Sequence, residues 1–312
     1  MTATTPQEQS SAPQAPLQAP GTPNAPAQPS RLATILRMIG LLRESLSAMI
    51  GAGIVGFWTL VAILAPLVAP FDPMQTIQPI AQPLTQAADG SGMFLLGTDH
   101  LGRDILSRLM HGTSLVLFFG FVATATAYAV GILMGLTAAY YRGWVDEVLA
   151  RLADVILAFP PFLLYVLVIA LYGRSWANVI LAVTFASSPA IMRIVRGLVL
   201  DLRERDYVAA AKMRGERALY IMFVEILPNA RGPLIVDACL RMGYVIITIG
   251  VLGVLGLGPP GSSPDWGTMI AETRGLIFSF PYMTVIPCIA ISSLVLGLNL
   301  LADGIREISL RD

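Results

Sequence analysis

The stretch AMIGAGIVGFWTLVAILAPLVAP, Ala48–Pro70, contains no charged residue. A helix that crosses the hydrocarbon core of a membrane needs about 20 mostly apolar residues, so this stretch predicts a membrane-spanning helix. The whole chain has the same character. Of its 312 residues 55% are hydrophobic and 13% are charged, and its mean hydropathy is +0.70, whereas soluble domains carry about 25% charged residues. Composition therefore predicts an all-α membrane protein.

Five further apolar segments follow the first one, which gives six predicted transmembrane helices. They lie at about 114–140, 155–172, 177–192, 234–256 and 280–301. The third segment contains FPPF at Phe159–Phe162, and two prolines in a row predict a break in its helix.

Basic residues predict the orientation of the spans. With the N-terminus in the cytoplasm, all but four of the 20 lysines and arginines fall in cytoplasmic segments; the four are Arg103, Arg108, Arg174 and Arg274. The positive-inside rule then places both termini in the cytoplasm, as an even number of spans requires. The net charge of zero indicates no nucleic-acid partner, and the lipid bilayer is the expected surrounding.

The first 30 residues differ in composition from the rest. They consist mainly of Pro, Ala, Gln and Ser, which bury too little apolar surface to offset the entropy of ordering. We expect residues 1–30 to be a disordered cytoplasmic tail, 31–47 a juxtamembrane segment, and 48–312 the transmembrane domain.

The longest predicted cytoplasmic loop covers about residues 201–230, between the fourth and fifth spans. It is rich in helix-forming residues up to Gly215, and glycine is the usual residue just past a helix end. A second helix is expected to follow and to stop near Pro228. The loop is thus predicted to be a helical hairpin.

This loop resembles that of the bacterial binding-protein-dependent ABC transporter permeases. AAAKMRGERALYIMFVEILP, Ala209–Pro228, is similar to their pattern of Glu-Ala-Ala, three residues, Gly, nine residues, Ile, one residue and Leu-Pro. Ala209 replaces the glutamate and Glu225 replaces the isoleucine. LLGTDHLGRDILSRLMHGTSLVL (95–117) and the segment 264–307 resemble the dipeptide and oligopeptide type, so the resemblance covers about residues 48–312.

The resemblance implies a type I importer fold of the MetI-like kind and a role as permease subunit for peptides or similar small solutes. It implies a cell inner membrane location and three kinds of partner: a second related permease, ABC ATPase subunits and an extracytoplasmic substrate-binding protein. No cofactor is expected in this chain, since ATP and Mg²⁺ would bind the ATPases. The residues expected to couple to the ATPase are Ala209, Ala210, Ala211, Gly215, Leu227 and Pro228. The alternative interpretation of this loop is an interfacial amphipathic helix.

The chain is not expected to be an enzyme. A phosphate-binding P-loop requires Gly-Lys followed by Ser or Thr, but Met213 follows Lys212, which is the one lysine in the sequence. His100 and His111 are the only histidines, and no cluster of metal ligands or catalytic groups surrounds them.

Two groups of charged residues have two interpretations each. Asp99, Arg103 and Asp104 precede the second span, where they either contact the binding protein or cap and orient a helix. Asp237 and Arg241 are four residues apart, which puts them on one face of a helix near the predicted inner end of the fifth span. They either set the depth of that helix or form a joint between the loop and the span.

A rival functional class is a self-sufficient secondary transporter or a channel subunit. Such a protein usually needs ionisable groups inside its spans to bind a coupling ion. The middle parts of the predicted spans are almost free of such groups, which favours the importer subunit. The identity of the solute is left open by the sequence.

Overall fold

The structure is a computed structural model that describes residues 45–88, 90, 92–258 and 263–309. The predicted tail and nearly all of the predicted juxtamembrane segment lie outside these residues. The helices are α1 (Leu46–Val68), α2 (Ile105–Tyr141), α3 (Gly143–Leu157), α4 (Pro161–Tyr172), α5 (Trp176–Leu202), α6 (Asp206–Met213), α7 (Ala218–Tyr220), α8 (Leu227–Val254), α9 (Trp266–Thr273) and α10 (Pro281–Ser309). A two-stranded antiparallel ribbon, β1 (Thr85–Gln86) and β2 (Met93–Phe94), lies between α1 and α2 and pairs Thr85 with Phe94.

Five helices of the described chain are long and apolar enough to cross a membrane: α1, α2, α5, α10 and the continuous helix Ala218–Val254. Helices α3 and α4 pass the same test only as a pair bent by 86°. The chain therefore has six apolar crossings if the bent pair counts as one, in agreement with the predicted all-α fold. The direction in which the helices cross stays a prediction.

The break between α3 and α4 lies at the predicted double proline. Pro160 precedes α4 with an extended backbone (φ −58°, ψ 125°), and Pro161 is the first residue of the helix. A residue before proline avoids the helical region, while the first helical position tolerates proline because its N–H has no partner there. The prolines therefore end one helix and start the next.

Four predicted spans belong to longer helices, those of α2, α5, α8 and α10, and α2 and α5 show the reasons. Helix α2 begins at Ile105 rather than near residue 114, because Asp104 caps it by accepting a hydrogen bond from the backbone N–H of Ser107 at 2.8 Å. Helix α5 continues from residue 192 to Leu202, since the charged residues that end its apolar run stay helical. Arg196 binds Asp146 of α3 with both ends of its guanidinium, at 2.5 and 2.7 Å.

The prediction that the second loop helix stops near Pro228 is wrong. One helix runs from Ala218 to Val254, so the hairpin's second limb is the beginning of the fifth span. The segment Ile221–Ile226 is a π-helical turn directly before Leu227–Pro228. A wider π-turn removes the clash that a proline ring makes with the carbonyl four residues earlier, which lets the helix continue.

Close contacts between helices depend on glycines at two places. A Cβ atom on Gly131 of α2 would lie 2.6 Å from Cγ2 of Ile191 on α5, and one on Gly51 of α1 would lie 2.3 Å from a backbone nitrogen of α10. Small residues allow helix backbones to approach in membrane proteins. These two pairs of helices form the body that carries the loop and α8.

The short helix α9 is held in the core by Trp266. Its side chain is fully buried, its Nε1 donates to the carbonyl of Leu109 at 3.0 Å, and its ring packs edge-on against Trp58 at 5.0 Å. This anchoring fixes Glu272, near the end of α9, beside the start of α2.

Candidate functional site

The predicted turn at Gly215 is a Schellman motif, the hydrogen-bonded turn that ends many helices in a left-handed residue. Gly215 has φ +77°, and its N–H donates to the carbonyl of Lys212 at 3.0 Å. The N–H of Glu216 donates to the carbonyl of Ala211 at 3.2 Å. The predicted need for a glycine at this position is confirmed by the backbone.

The three alanines of the motif do not share one environment. Ala211 is fully buried and packs with Val208 against the core formed by α2, α5 and α8. Ala209 is exposed and Ala210 is half-buried. Ala211 therefore seats α6 on the body of the protein, and Ala209 lies on the face that remains free for contact.

Large apolar side chains project from the tip of the hairpin. Met213 is 83% exposed and Leu219 is 65% exposed, on the two sides of Gly215. Pro228 is also exposed, and Leu227 is half-buried. Exposed apolar side chains outside the predicted spans are typical of protein contact sites. Met213 and Leu219 were not predicted as site residues. Their position outside the predicted spans, as large apolar residues in a loop, could have indicated them.

The two limbs of the hairpin are tied together by Arg214 and Glu225. The guanidinium of Arg214 lies 3.2 Å from Oε1 of Glu225, and its Nε lies 3.7 Å from Glu216. Glu225 is the residue that departs from the family's isoleucine, and here it has a structural partner. Because the Arg214 side chain is 54% exposed, the pair orients the limbs more than it stabilises them.

Asp237 and Arg241 form the predicted pair within α8. Oδ2 of Asp237 accepts from Nε of Arg241 at 2.7 Å, and it also accepts a hydrogen bond from the hydroxyl of Tyr128 on α2. The side chains of both charged residues are about one-fifth exposed. Tyr128 was missed because nothing in a sequence pairs two positions on different helices.

This cluster lies near the midpoints of the two helices that carry it. Tyr128 is close to the middle of α2, and Arg241 is at the middle of the helix Leu227–Val254. The depth of the pair in the membrane, and with it the expectation that the middle of the spans is almost free of ionisable groups, stays a prediction.

Asp99 and Arg103 belong to a buried network of four charges. Asp99 accepts from Nε of Arg103 at 2.7 Å and from Nη1 of Arg108 at 2.5 Å. Both arginines also bind Glu272 of α9, at 2.6 and 2.9 Å. Burial raises the pKa of Asp99, but the backbone N–H of Arg103 and the two guanidinium groups outweigh burial and hold that pKa below its usual value.

Asp104 has no charged partner in the described chain. Its Oδ2 accepts from the N–H and the hydroxyl of Ser107, while its buried Oδ1 has no hydrogen-bond partner among the described residues. Burial is the largest effect on its carboxyl group and raises the pKa. Asp99, Arg103 and Asp104 are each at most 2% exposed, so the geometry supports the structural interpretation of these residues over direct contact with a binding protein.

Comparison with known proteins identifies two matching families. Residues 127–311 match the family described as the binding-protein-dependent transport system inner membrane component. Residues 39–87 match the N-terminal TM domain of oligopeptide transport permease C.

Several characterised proteins are similar to the chain over most of its length. The dipeptide transport system permease protein DppC of Haemophilus influenzae is 38% identical over 85% of this chain and 90% of its own. The di/tripeptide transport system permease protein DppC of Pseudomonas aeruginosa is 39% identical over 79% and 82%. The glutathione transport system permease protein GsiD of Pectobacterium atrosepticum is 40% identical over 68% and 70%.

A solved structure has the same fold. The MetNI methionine ABC transporter, in an inward-facing conformation, superposes with a TM-score of 0.54 and 16% identity over 64% of this chain and 96% of that one. At this identity the similarity concerns the fold alone.

Proposed function

The chain belongs to the binding-protein-dependent transport system inner membrane components, as the membrane subunit of an ABC importer, and we propose that its solutes are short peptides. The relatives at 38–40% identity are named for dipeptides, di- and tripeptides and glutathione, which are all short peptides. A binding protein that delivers the solute and an ATPase that drives transport are the partners that the family implies.

The loop 201–230 is proposed to couple this subunit to the ATPase. The observation that carries this proposal is the pairing of a rigid turn at Gly215 with exposed apolar side chains on both sides of it. A partner that covers Met213 and Leu219 would remove from water two of the most exposed apolar side chains of the loop. Ala209 would let the partner approach α6 closely, and Ala211 would keep α6 seated on the body.

A second related permease is proposed to complete the pathway. Six apolar crossings are few for a whole transporter, and the cavity described below opens on a face of α8 where Tyr244 is 69% exposed. ATP and Mg²⁺ would bind in the ATPase subunits. The purified permease subunit is expected to hydrolyse no ATP.

Loss of ATPase association in a loop variant tests the coupling role. Met213→Glu and Leu219→Glu are each expected to reduce the amount of ATPase that copurifies with the assembled importer by about tenfold, because a buried carboxylate disrupts an apolar contact. Phe278→Glu is the matched control, since Phe278 is 99% exposed. It lies in the turn before α10, and so at the end of the helices opposite to the loop. Equal association in all three variants would remove the loop from the proposed interface.

Uptake of labelled peptides tests the proposed solute. Vesicles with the complete importer and its binding protein are expected to accumulate di- and trialanine but not free alanine. Accumulation of neither peptide would refute the proposed solute class and leave the assignment as an ABC importer subunit unchanged.

A further inference from the structure

A cavity of about 200 Å³ lies between the middle parts of α2, α5 and α8, against the break that separates α3 from α4. Helix α2 contributes Tyr128, α8 contributes Arg241, and the break contributes Leu157 and Pro161. Each long helix reaches it near its own midpoint.

Arg241 is the charged residue that lines this cavity. Asp237, its partner, is not part of the lining. The hydrogen bond from Nε to Asp237 uses one of the five N–H donors of the guanidinium. The guanidinium of Arg241 therefore lines the cavity. The carboxylate of Asp237, which accepts a hydrogen bond from Tyr128, does not.

Hydroxyl groups surround the guanidinium. Tyr165, Ser187 and Tyr244 line the cavity, and within the described chain their hydroxyl groups make no hydrogen bond. A cavity that presents a cation together with hydroxyl groups without a protein partner suits an acceptor group on a ligand. A carboxylate supplies that group, because arginine binds it with two parallel N–H bonds.

We propose that this cavity is a binding subsite for the carboxylate group of the transported solute, with Arg241 as its principal ligand. The inference rests on the proposed function only in taking the solute to be a peptide, whose C-terminal carboxylate would occupy the site. Asp237 is a positioning residue in this proposal, because it accepts from Nε of Arg241 and does not itself line the cavity. Tyr128 lines the cavity and donates its hydroxyl hydrogen to Asp237, so it positions the guanidinium through that carboxylate.

A neighbouring cavity has a different lining. It lies on the other side of Tyr128, is lined mainly by apolar residues such as Phe121, Leu234 and Met242, and contains Arg231 at an exposed position. It has the volume for a side chain, about 550 Å³, but its lining lacks Tyr165, Ser187 and Tyr244. Arg231 is thus a matched control for Arg241: the same residue type on the same helix.

The decisive experiment measures the charge preference of the cavity directly. Cys239 and Cys288 are replaced by alanine, Ser187 by cysteine, and the complete importer in vesicles is treated with two methanethiosulfonates of similar size, one with a sulfonate and one with a trimethylammonium group. The measured quantity is the ratio of the two labelling rates. It is compared with the same ratio in Asp237→Asn/Arg241→Gln, which removes both charges and leaves neither unpaired.

The sulfonate-to-ammonium ratio is expected to fall about tenfold or more in the double variant, because the cation that lines the same cavity as the thiol is lost. Arg241→Lys should keep the wild-type ratio, and Arg231→Gln should leave it unchanged. An unchanged ratio in the double variant overturns the proposal, because the cavity would then sense no net cation. This readout needs no knowledge of the transported solute.

Uptake provides the second measurement. Trialanine is expected to have a KM several-fold lower than its C-terminal amide in the wild-type importer, and this difference is expected to vanish in Asp237→Asn/Arg241→Gln. Equal loss for both peptides would mean a structural role for Arg241 and would refute the subsite. Failure of the wild type to transport either peptide would instead refute the peptide solute, and the labelling ratio would still decide whether the cavity holds an anion.

Discussion

Asp99 and Asp104 are two buried aspartates, five positions apart, whose substitution by asparagine is expected to be strongly destabilising at the first position and nearly neutral at the second. In Asp99 the oxygen Oδ2 receives two guanidinium N–H groups, at 2.7 and 2.5 Å. In Asp104 one oxygen caps α2 and the other has no partner in the described chain. Asparagine has nearly the same shape as aspartate, so the difference between the two variants isolates the charge.

The cost of Asp99→Asn follows from what the new amide would face. Its carbonyl can still accept from the backbone N–H groups of Leu101 and Arg103, at 2.8 and 3.0 Å, which leaves the NH₂ group directed at the guanidinium of Arg108. That arginine is 1% exposed and would keep only Glu272. Removal of one partner from a buried ion pair costs about 3–5 kcal/mol.

Asp104→Asn is expected to change the free energy of unfolding by less than about 1 kcal/mol, because asparagine is as good an N-cap as aspartate. Its carbonyl accepts from Ser107 as before, and no charge is left buried without a partner. The direction of the two pKa shifts agrees with this contrast. Because the pKa of Asp99 is lowered in the folded protein, its ionised carboxylate stabilises the fold at pH values above the ordinary pKa of about 3.9. This stabilisation is lost as the pH falls below that value. Burial, by contrast, raises the pKa of Asp104, so that its ionised form costs stability at neutral pH.

Thermal unfolding of the purified full chain in detergent at pH 7 measures both variants. At about 2–4 °C per kcal/mol for a chain of this size, Asp99→Asn should lower Tm by about 6–20 °C and Asp104→Asn should shift it by less than about 4 °C. The gap between wild type and Asp99→Asn should narrow as the pH falls below the ordinary pKa of about 3.9, because the unfolded chain then binds a proton that the lowered pKa of folded Asp99 resists. Equal shifts for the two variants at pH 7 would refute the assignment of the buried charge network as a stabilising unit.

Three further outcomes are expected. Gly215→Val should leave membrane levels normal and reduce peptide uptake per molecule at least severalfold. A β-branched residue is strained by about 1–2 kcal/mol or more at φ +77°. Gly275→Val, at an open position without positive φ, serves as control. Gly131→Val should abolish folded yield because its Cβ would lie 2.6 Å from Ile191, whereas Gly197→Ala on α5 meets nothing within 4 Å and should be tolerated. The chain purified free of other subunits should show no ATP hydrolysis, and phosphate release above a protein-free blank would contradict that expectation.

Local chemistry determined the parts of the fold that were predictable from the sequence. The apolar runs, the break at Pro160 and the positive φ at Gly215 depend on the residues themselves and their immediate neighbours. Helix ends were less predictable because an apolar run measures the part of a helix inside the hydrocarbon, not the whole helix. Helix α5 therefore continues beyond its apolar run, where Arg196 has its partner on α3.

Contacts between distant helices were not predictable from one sequence. Tyr128 and Asp237 are 109 positions apart, and Arg108 and Glu272 are 164 positions apart. Each pair depends on which faces of two helices pack together, and hydropathy alone does not specify those faces.

The continuity of the hairpin with α8 changes the candidate joint between loop and span. Asp237 and Arg241 are four residues apart on one helix, so the two partners move together and their ion pair cannot transmit motion between elements. The bond that crosses between elements is the one from Tyr128 of α2 to Asp237. From Ala218 to Arg241 the helix is about 35 Å long at 1.5 Å per residue, without an intervening loop. On the proposed coupling role, a displacement of the hairpin by the ATPase therefore reaches Arg241 directly along the helix, and the Tyr128–Asp237 bond is the contact that has to change when α8 moves against α2. The π-turn at Ile221–Ile226 and Pro233 inside α8 are irregular points on this path, which makes them the places where the helix could bend instead of moving as a rigid lever.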